Sequence, residues 1–200
     1  MDIQIYKEEI LKVTDSESAS NFTQKNFFHG TPKVFQNDDE YYNFRKRIAD
    51  NFDIGFYEVF VVGSSKFGFS PYKLTYFSYE SDIDVVIFNE TLFENFFNLI
   101  SDYQYKIRKQ IIRLNRKQYK DYVKFVKYFT MGWMRPDLLP KNTNEFKEIR
   151  DNWELFFKSI SYSQSEVGNY KVQGGLFKNQ RYAEKYYNSS IETIQQKIKE

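Results

Sequence analysis

Cysteine is absent from the chain, histidine occurs once, and only four prolines and eight glycines punctuate 200 residues. The lack of cysteine removes disulfides, thiolate metal sites and a cysteine nucleophile together. No apolar window approaches the length of a membrane span, and the start, MDIQIYKEEILKV, lacks the basic head and apolar run of a secretory signal. A soluble, cytoplasmic protein without a membrane partner is therefore expected. Charge of one sign is also missing: 29 basic residues stand against 27 acidic ones, for a net charge of +2. Nucleic-acid binding must then be argued from local clusters, because no global field supports it. What is abundant is aromatic, with 21 Phe and 17 Tyr where Leu and Ala would be ordinary. That skew follows coding-sequence composition and carries no functional reading. The length suits a single domain, 1–200, large enough to bury a core.

Periodicity organises the chain. Residues 6–13 read as a short helix and TDSESASNFTQKN as loop. NDDEYYNFRKRIADNF reads as a helix, with Asn37 and Asp38 as candidate caps and Tyr41, Phe44, Ile48 and Phe52 on one face. YEVFVVG (57–63) and DIDVVIF (82–88) have the β-branched content and length of strands, stopped by Gly63 and Asn89. From Glu90 to about Phe129 the pattern is helical, with Ile107, Ile111, Leu114, Tyr122, Val126 and Phe129 on one stripe, ended by Gly132 and Pro136. TNEFKEIRDNWELFFKSI is a further helix capped by Thr143. NYKVQGGLF (169–177) reads as a last strand with a glycine bulge, and the remainder as a closing helix. The order implies an α+β fold around a small sheet, with a core motif region at 30–90 and a helical part at 91–165.

Two carboxylates, Asp82 and Asp84, alternate onto one face of the second strand while Ile83, Val85 and Ile87 point to the other. Like charges that close raise one another's pKa unless a cation compensates. Oxygen-only donors without His or Cys favour Mg²⁺ or Mn²⁺ over zinc. A bare D-x-D is also compatible with a local cap and a solvated side chain. The first strand, however, ends in Gly63-Ser64-Ser65, where glycine permits close backbone approach and successive N–H and hydroxyl groups suit phosphate oxygens.

Strand, Gly-Ser, loop and D-x-D strand together resemble the signature of the nucleotidyltransferase superfamily, the group with the DNA polymerase β-like palm, over roughly residues 40–90. The resemblance implies a small mixed sheet of the palm with flanking helices, here joined by a long basic helix. It implies that Ser64, with the backbone at Gly63 and Ser65, contacts the β and γ phosphates of a nucleoside triphosphate (NTP), and that Asp82 and Asp84 bind Mg²⁺ (or Mn²⁺). Lys66 is a further phosphate candidate, against a solvated lysine.

Two departures stand out. The insert between Ser64 and Asp82 is longer than the family usually shows and rich in aromatics, which suits a lid or short hairpin. The third carboxylate, normally on a later strand beside the D-x-D strand, is missing, since the candidate strand offers Gln173. Asp137 in GWMRPDLLP is the substitute candidate, with Glu80 behind it, although an aspartate before Leu-Leu-Pro is ordinarily a turn residue.

Between Lys106 and Lys127 nine basic residues face a single acid, Asp121. Such a run is either a solvated face or an electrostatic footprint for RNA or another oligonucleotide acceptor; a protein acceptor is a further option. His29, in FFHGTPKVF, is a candidate base or nucleotide contact, against a structural loop role. Tyr79 and Phe77 are candidate stacking residues, Arg135 and Arg181 candidate phosphate ligands, and Trp133 and Trp153 packing residues. Two functions follow: a nucleotidyltransferase acting on RNA, a nucleotide or a protein, of the kind the resemblance associates with toxin–antitoxin modules and phage defence, or a catalytically impaired binding module.

Overall fold

The computed structural model describes residues 2–140 and 144–199; the Thr143 cap lies outside them. Helices α1 (Ile3–Leu11), α2 (Ser16–Thr23) and α3 (Asp38–Phe52) precede β1 (Val59–Val62), the single-turn α4 (Ser64–Phe67) and β2 (Ile83–Phe88). Helices α5 (Glu90–Arg108) and α6 (Arg116–Thr130), the two-residue β3 (Trp133–Met134) and α7 (Asn144–Ser159) lead to β4 (Val172–Phe177), α8 (Gln180–Asn188) and α9 (Ile191–Lys199). The four strands form one mixed sheet in the order β1-β2-β4-β3, with β2 antiparallel to β1 and parallel to β4. No described helix is long and apolar enough to cross a membrane.

Strict alternation decides what each face of the sheet does. Val59, Val61, Ile83, Val85, Ile87, Val172 and Leu176 enter the main core with α3, α5, α6 and α7. Val62, Val86, Phe88 and Phe177 point to the opposite face, against Ala183 and the tyrosines of α8. A third cluster joins α1, α2 and α9 to Phe67 and Phe69. Asn37, as read from sequence, caps α3 by accepting from Glu40 N; Asn89 does more than end β2, since its side chain caps α5.

Four expectations are corrected. The stretch read as loop at 14–26 is α2 followed by a π-turn at Gln24–Phe28. Its serines and asparagine each disfavour helix by about 0.5 kcal/mol. Burial of Phe22 and Phe27, each worth about 2 kcal/mol, together with the Asp15–Ser18 capping box outweighs that. The long basic helix is two helices, because Gln110 turns left-handed and Asn115 starts α6 with a capping box. An unbroken helix from 90 to 129 would run about 60 Å, far beyond a domain with a radius of gyration of about 16 Å. The break lets Tyr122 of α6 pack on Tyr103 of α5 and leaves Ile111, assigned to the apolar stripe, 69% exposed. The closing helix also breaks, at Ser189–Ser190, so that Ile191 and Ile194 reach Tyr6 and Ile10 while Gln195 Nε2 donates to the carbonyls of Ile10 and Val13.

The fourth correction concerns β4, which carries no bulge: Val172–Phe177 pairs residue for residue with Ile83–Phe88. Gly174 is there for close approach, since a Cβ at that position would lie 2.0 Å from the Phe157 ring of α7. The aromatic insert after α4 forms a short bridged turn, with Phe69 opposite Tyr76.

Candidate functional site

Register sets the site. Val62 of β1, Asp84 of β2 and Gln173 of β4 stand side by side across the sheet, and Asp84 is the one exposed position in β2. Immediately after Val62 the chain turns at Gly63, with φ 69° and ψ −149°, a backbone region essentially reserved for glycine. A Cβ there would also lie 2.7 Å from Asp84 Oδ2, so the turn and the carboxylate are in contact. The two motifs read from sequence therefore meet.

Asp82 sits just before β2 and accepts a hydrogen bond from Gln173 Nε2, with Lys171 Nζ 3.9 Å from its Oδ2. Asp84 lies at the floor of an open cleft, walled by protein on its other sides. Burial first, and the Asp82 charge second, push its carboxyl up to about 6, and Lys171 offsets a little of this. Two carboxylates at the start of β2 are an oxygen donor set suited to a hard cation, and half a turn of the Gln173 amide would present its Oε1 beside them. No group of three or more His, Asp or Glu that could hold a metal ion occurs among the described residues. The residue of β4 in register with Asp84 is thus an amide, Gln173.

The cleft itself, about 360 Å³, is bounded by Gly63, Asp84, Gln173, Arg135, Asp137 and Tyr186, with Trp133 and Tyr187 behind. Arg135 crosses it, its guanidinium 5.3 Å from the Trp133 ring and 5.5 Å from that of Tyr128. Both oxygens of Asp137 are engaged by this arginine, at 3.1 Å from Nε and 2.7 Å from Nη2. Asp137 therefore does reach the cleft, as the partner of a cation. The indole Nε1 of Trp133 is a buried donor without a hydrogen-bond partner among the described residues, and burial together with nearby Asp84 raises the Tyr187 phenol well above its ordinary value.

The remaining residues of the Gly-Ser turn are divided in role. Ser65, 1% exposed, donates its hydroxyl to Val62 O at 3.1 Å and so braces the turn from within. Lys66 Nζ donates to the carbonyls of His29 and Gly30, and burial lowers its pKa to about 8. It ties the 29–30 segment to α4, and the backbone bonds of Lys33 and Val34 to the carbonyls of Lys66 and Ser65 complete that tie. His29 contributes its carbonyl, with its side chain exposed. Glu80 and Arg181 are exposed and line none of the cleft.

Lys171 and the tyrosines of α8 were not singled out from sequence. A lysine one position before a strand and a Tyr-Tyr pair in an aromatic-rich chain carry no local signal. The basic run is divided by the α5–α6 break, and α6 gathers Arg116, Lys120, Lys124 and Lys127 along a surface groove of about 710 Å³. Comparison of the chain with protein-family models, curated proteins and solved structures finds no match.

Proposed function

We propose that the cleft belongs to a Mg²⁺-dependent nucleotidyltransferase, which moves a nucleoside monophosphate from an NTP to a hydroxyl acceptor. The observation that carries this reading is the contact between the Gly63 turn and Asp84, with Asp82 alongside and Gln173 in register. On this reading Asp82 and Asp84 hold the cation. When bound, Mg²⁺ (or Mn²⁺) neutralises the triphosphate and acidifies the attacking hydroxyl. The N–H groups of the Gly63–Ser65 turn and the Ser64 hydroxyl orient phosphate oxygens. Arg135, held in place by Asp137, adds the positive charge on the opposite wall, and Trp133 Nε1 supplies a donor awaiting an acceptor. The basic groove on α6 supports an RNA or oligonucleotide acceptor.

The amide at Gln173 favours a second reading, a nucleotidyltransferase-fold binding module with impaired turnover. The two separate in one assay. The protein is incubated with Mg²⁺ and each of four α-labelled NTPs, with and without RNA, beside Asp82→Ala/Asp84→Ala. Label transfer abolished in the double variant supports the enzyme. NTP binding with no transfer in any mixture supports the module, and neither binding nor transfer removes both.

A further inference from the structure

A second cavity of about 400 Å³ lies across β4 from the Asp84 cleft, between the C-terminal half of α7, the turn at 161–162 and the start of β4. We infer that this cavity binds one nucleotide unit, a planar base with its phosphate, and that this unit is the acceptor. The acceptor role rests on the function proposed above; the binding itself does not.

Both parts of that ligand find chemistry in the walls. Trp153 and Phe157 line the cavity's inner wall, buried and packed on Phe52, with Trp153 Nε1 donating to Gly174 O at 3.1 Å. Tyr162 stands at the mouth, 56% exposed. Lys158 and Lys171 line the same space, as do the carboxylates Asp137 and Glu154, which are met by Arg135 and Arg150, and Gln173 is shared with the Asp84 cleft. A volume of this size, apolar with a few convergent polar groups, is typical of small-molecule sites.

The backbone at the mouth is an independent observation. Tyr162 and Ser163 both adopt the left-handed conformation, at φ 55° and 67°. A non-glycine residue persists in this conformation only where the surroundings enforce it. They are enforced here: Tyr162 N donates to Tyr170 O at 2.8 Å and Ser163 N to Gly168 O at 2.9 Å. Below them the buried Ser161 hydroxyl donates to Phe157 O and accepts from Val172 N. The result is an exposed tyrosine on a fixed turn at the edge of the cavity, available to a base bound there.

The cavity communicates with the carboxylate pair. Lys171 and Gln173 line it, and the same two side chains are the partners of Asp82. A nucleotide whose hydroxyl lies at the Gln173 end would therefore stand beside Asp82. In transfer, that hydroxyl oxygen bonds to the α-phosphorus of the NTP. The bond from that phosphorus to the bridging oxygen breaks, pyrophosphate leaves with the electron pair, and the hydroxyl proton passes to water.

The test is equilibrium binding in EDTA, which silences the cation site. AMP, GMP, CMP and UMP are titrated singly, and then short oligonucleotides ending in the preferred base, to distinguish a free nucleotide from a strand end. Saturable binding of at least one probe is expected, weakened about tenfold or more in Lys158→Ala and in Tyr162→Ala and unchanged in Asp84→Asn. Absence of saturable binding by every probe overturns the inference, as does binding that Asp84→Asn removes or that Lys158→Ala and Tyr162→Ala leave intact. Metal-free binding that persists while label transfer fails would retain this site and refute the enzymatic reading instead.

Discussion

Replacing Gln173 by aspartate places a third carboxylate in register with Asp84 and removes the amide that donates to Asp82. Neighbouring strands lie about 4.8 Å apart, and two charges about 5 Å apart at an effective dielectric constant of about 20 repel by about 3 kcal/mol. Solvent at this open edge screens much of that. With the lost charge-assisted hydrogen bond added, a net destabilisation of about 2 kcal/mol remains in the metal-free protein. Lys171, 3.9 Å from Asp82, is the one cation paired with these acids among the described residues, so little compensation is available. For a chain of this length the melting temperature should fall by about 4 to 8 °C in EDTA. Added Mg²⁺ or Mn²⁺ should restore most of the loss, since a third oxygen donor tightens binding to the native state alone. Thermal melts of both proteins, with and without the metals, read the effect. Equal melting in EDTA, or a metal-induced rise no larger than in the unsubstituted protein, would refute the cation site proposed at these three side chains.

Three further outcomes follow from the same geometry. Asp84→Asn should stabilise the metal-free protein by about 1 kcal/mol at pH 8, after discounting for exposure. Because the folded-state pKa of about 6 lies above the ordinary 3.8, wild-type stability is lost as pH rises between those values. The advantage of the variant should therefore vanish below pH of about 4, and urea titrations across pH check this. Gly63→Ala should cost about 2 to 4 kcal/mol, from the glycine-only backbone and the contact with Asp84; calorimetry showing a loss under 1 kcal/mol would contradict the turn geometry. Gly174→Ala, which drives a methyl into the Phe157 ring, should lower stability by about 2 to 3 kcal/mol in chemical denaturation, and a neutral result would mean that α7 does not pack on β4 as described.

Much of the site was legible along the chain. β2 announces its two faces by alternation, the stop of β1 at Gly63 marks a turn that only glycine can make, and a side-chain oxygen at Asn37 suffices to start α3. These are properties of a few consecutive residues, and a period of two or a single cap needs no distant partner to be recognised. Residue identity alone also excluded cysteine chemistry.

What tertiary structure decided was which distant residues meet. Gln173 lies opposite Asp84 because β2 and β4 pair in parallel through an intervening helical segment, and no local pattern encodes that register. The basic run from 106 to 127 has the periodicity of one helix, yet packing against a core of limited diameter broke it at Gln110. Lys66 follows the Gly-Ser turn in sequence but is drawn to the carbonyls of His29 and Gly30. Asp137 reads from sequence as a spare acid, and the fold gives it an arginine. Local pattern determines what a segment is and which way its side chains alternate; only closure of the chain, where burial of long-range contacts outweighs local preference, determines what those side chains touch.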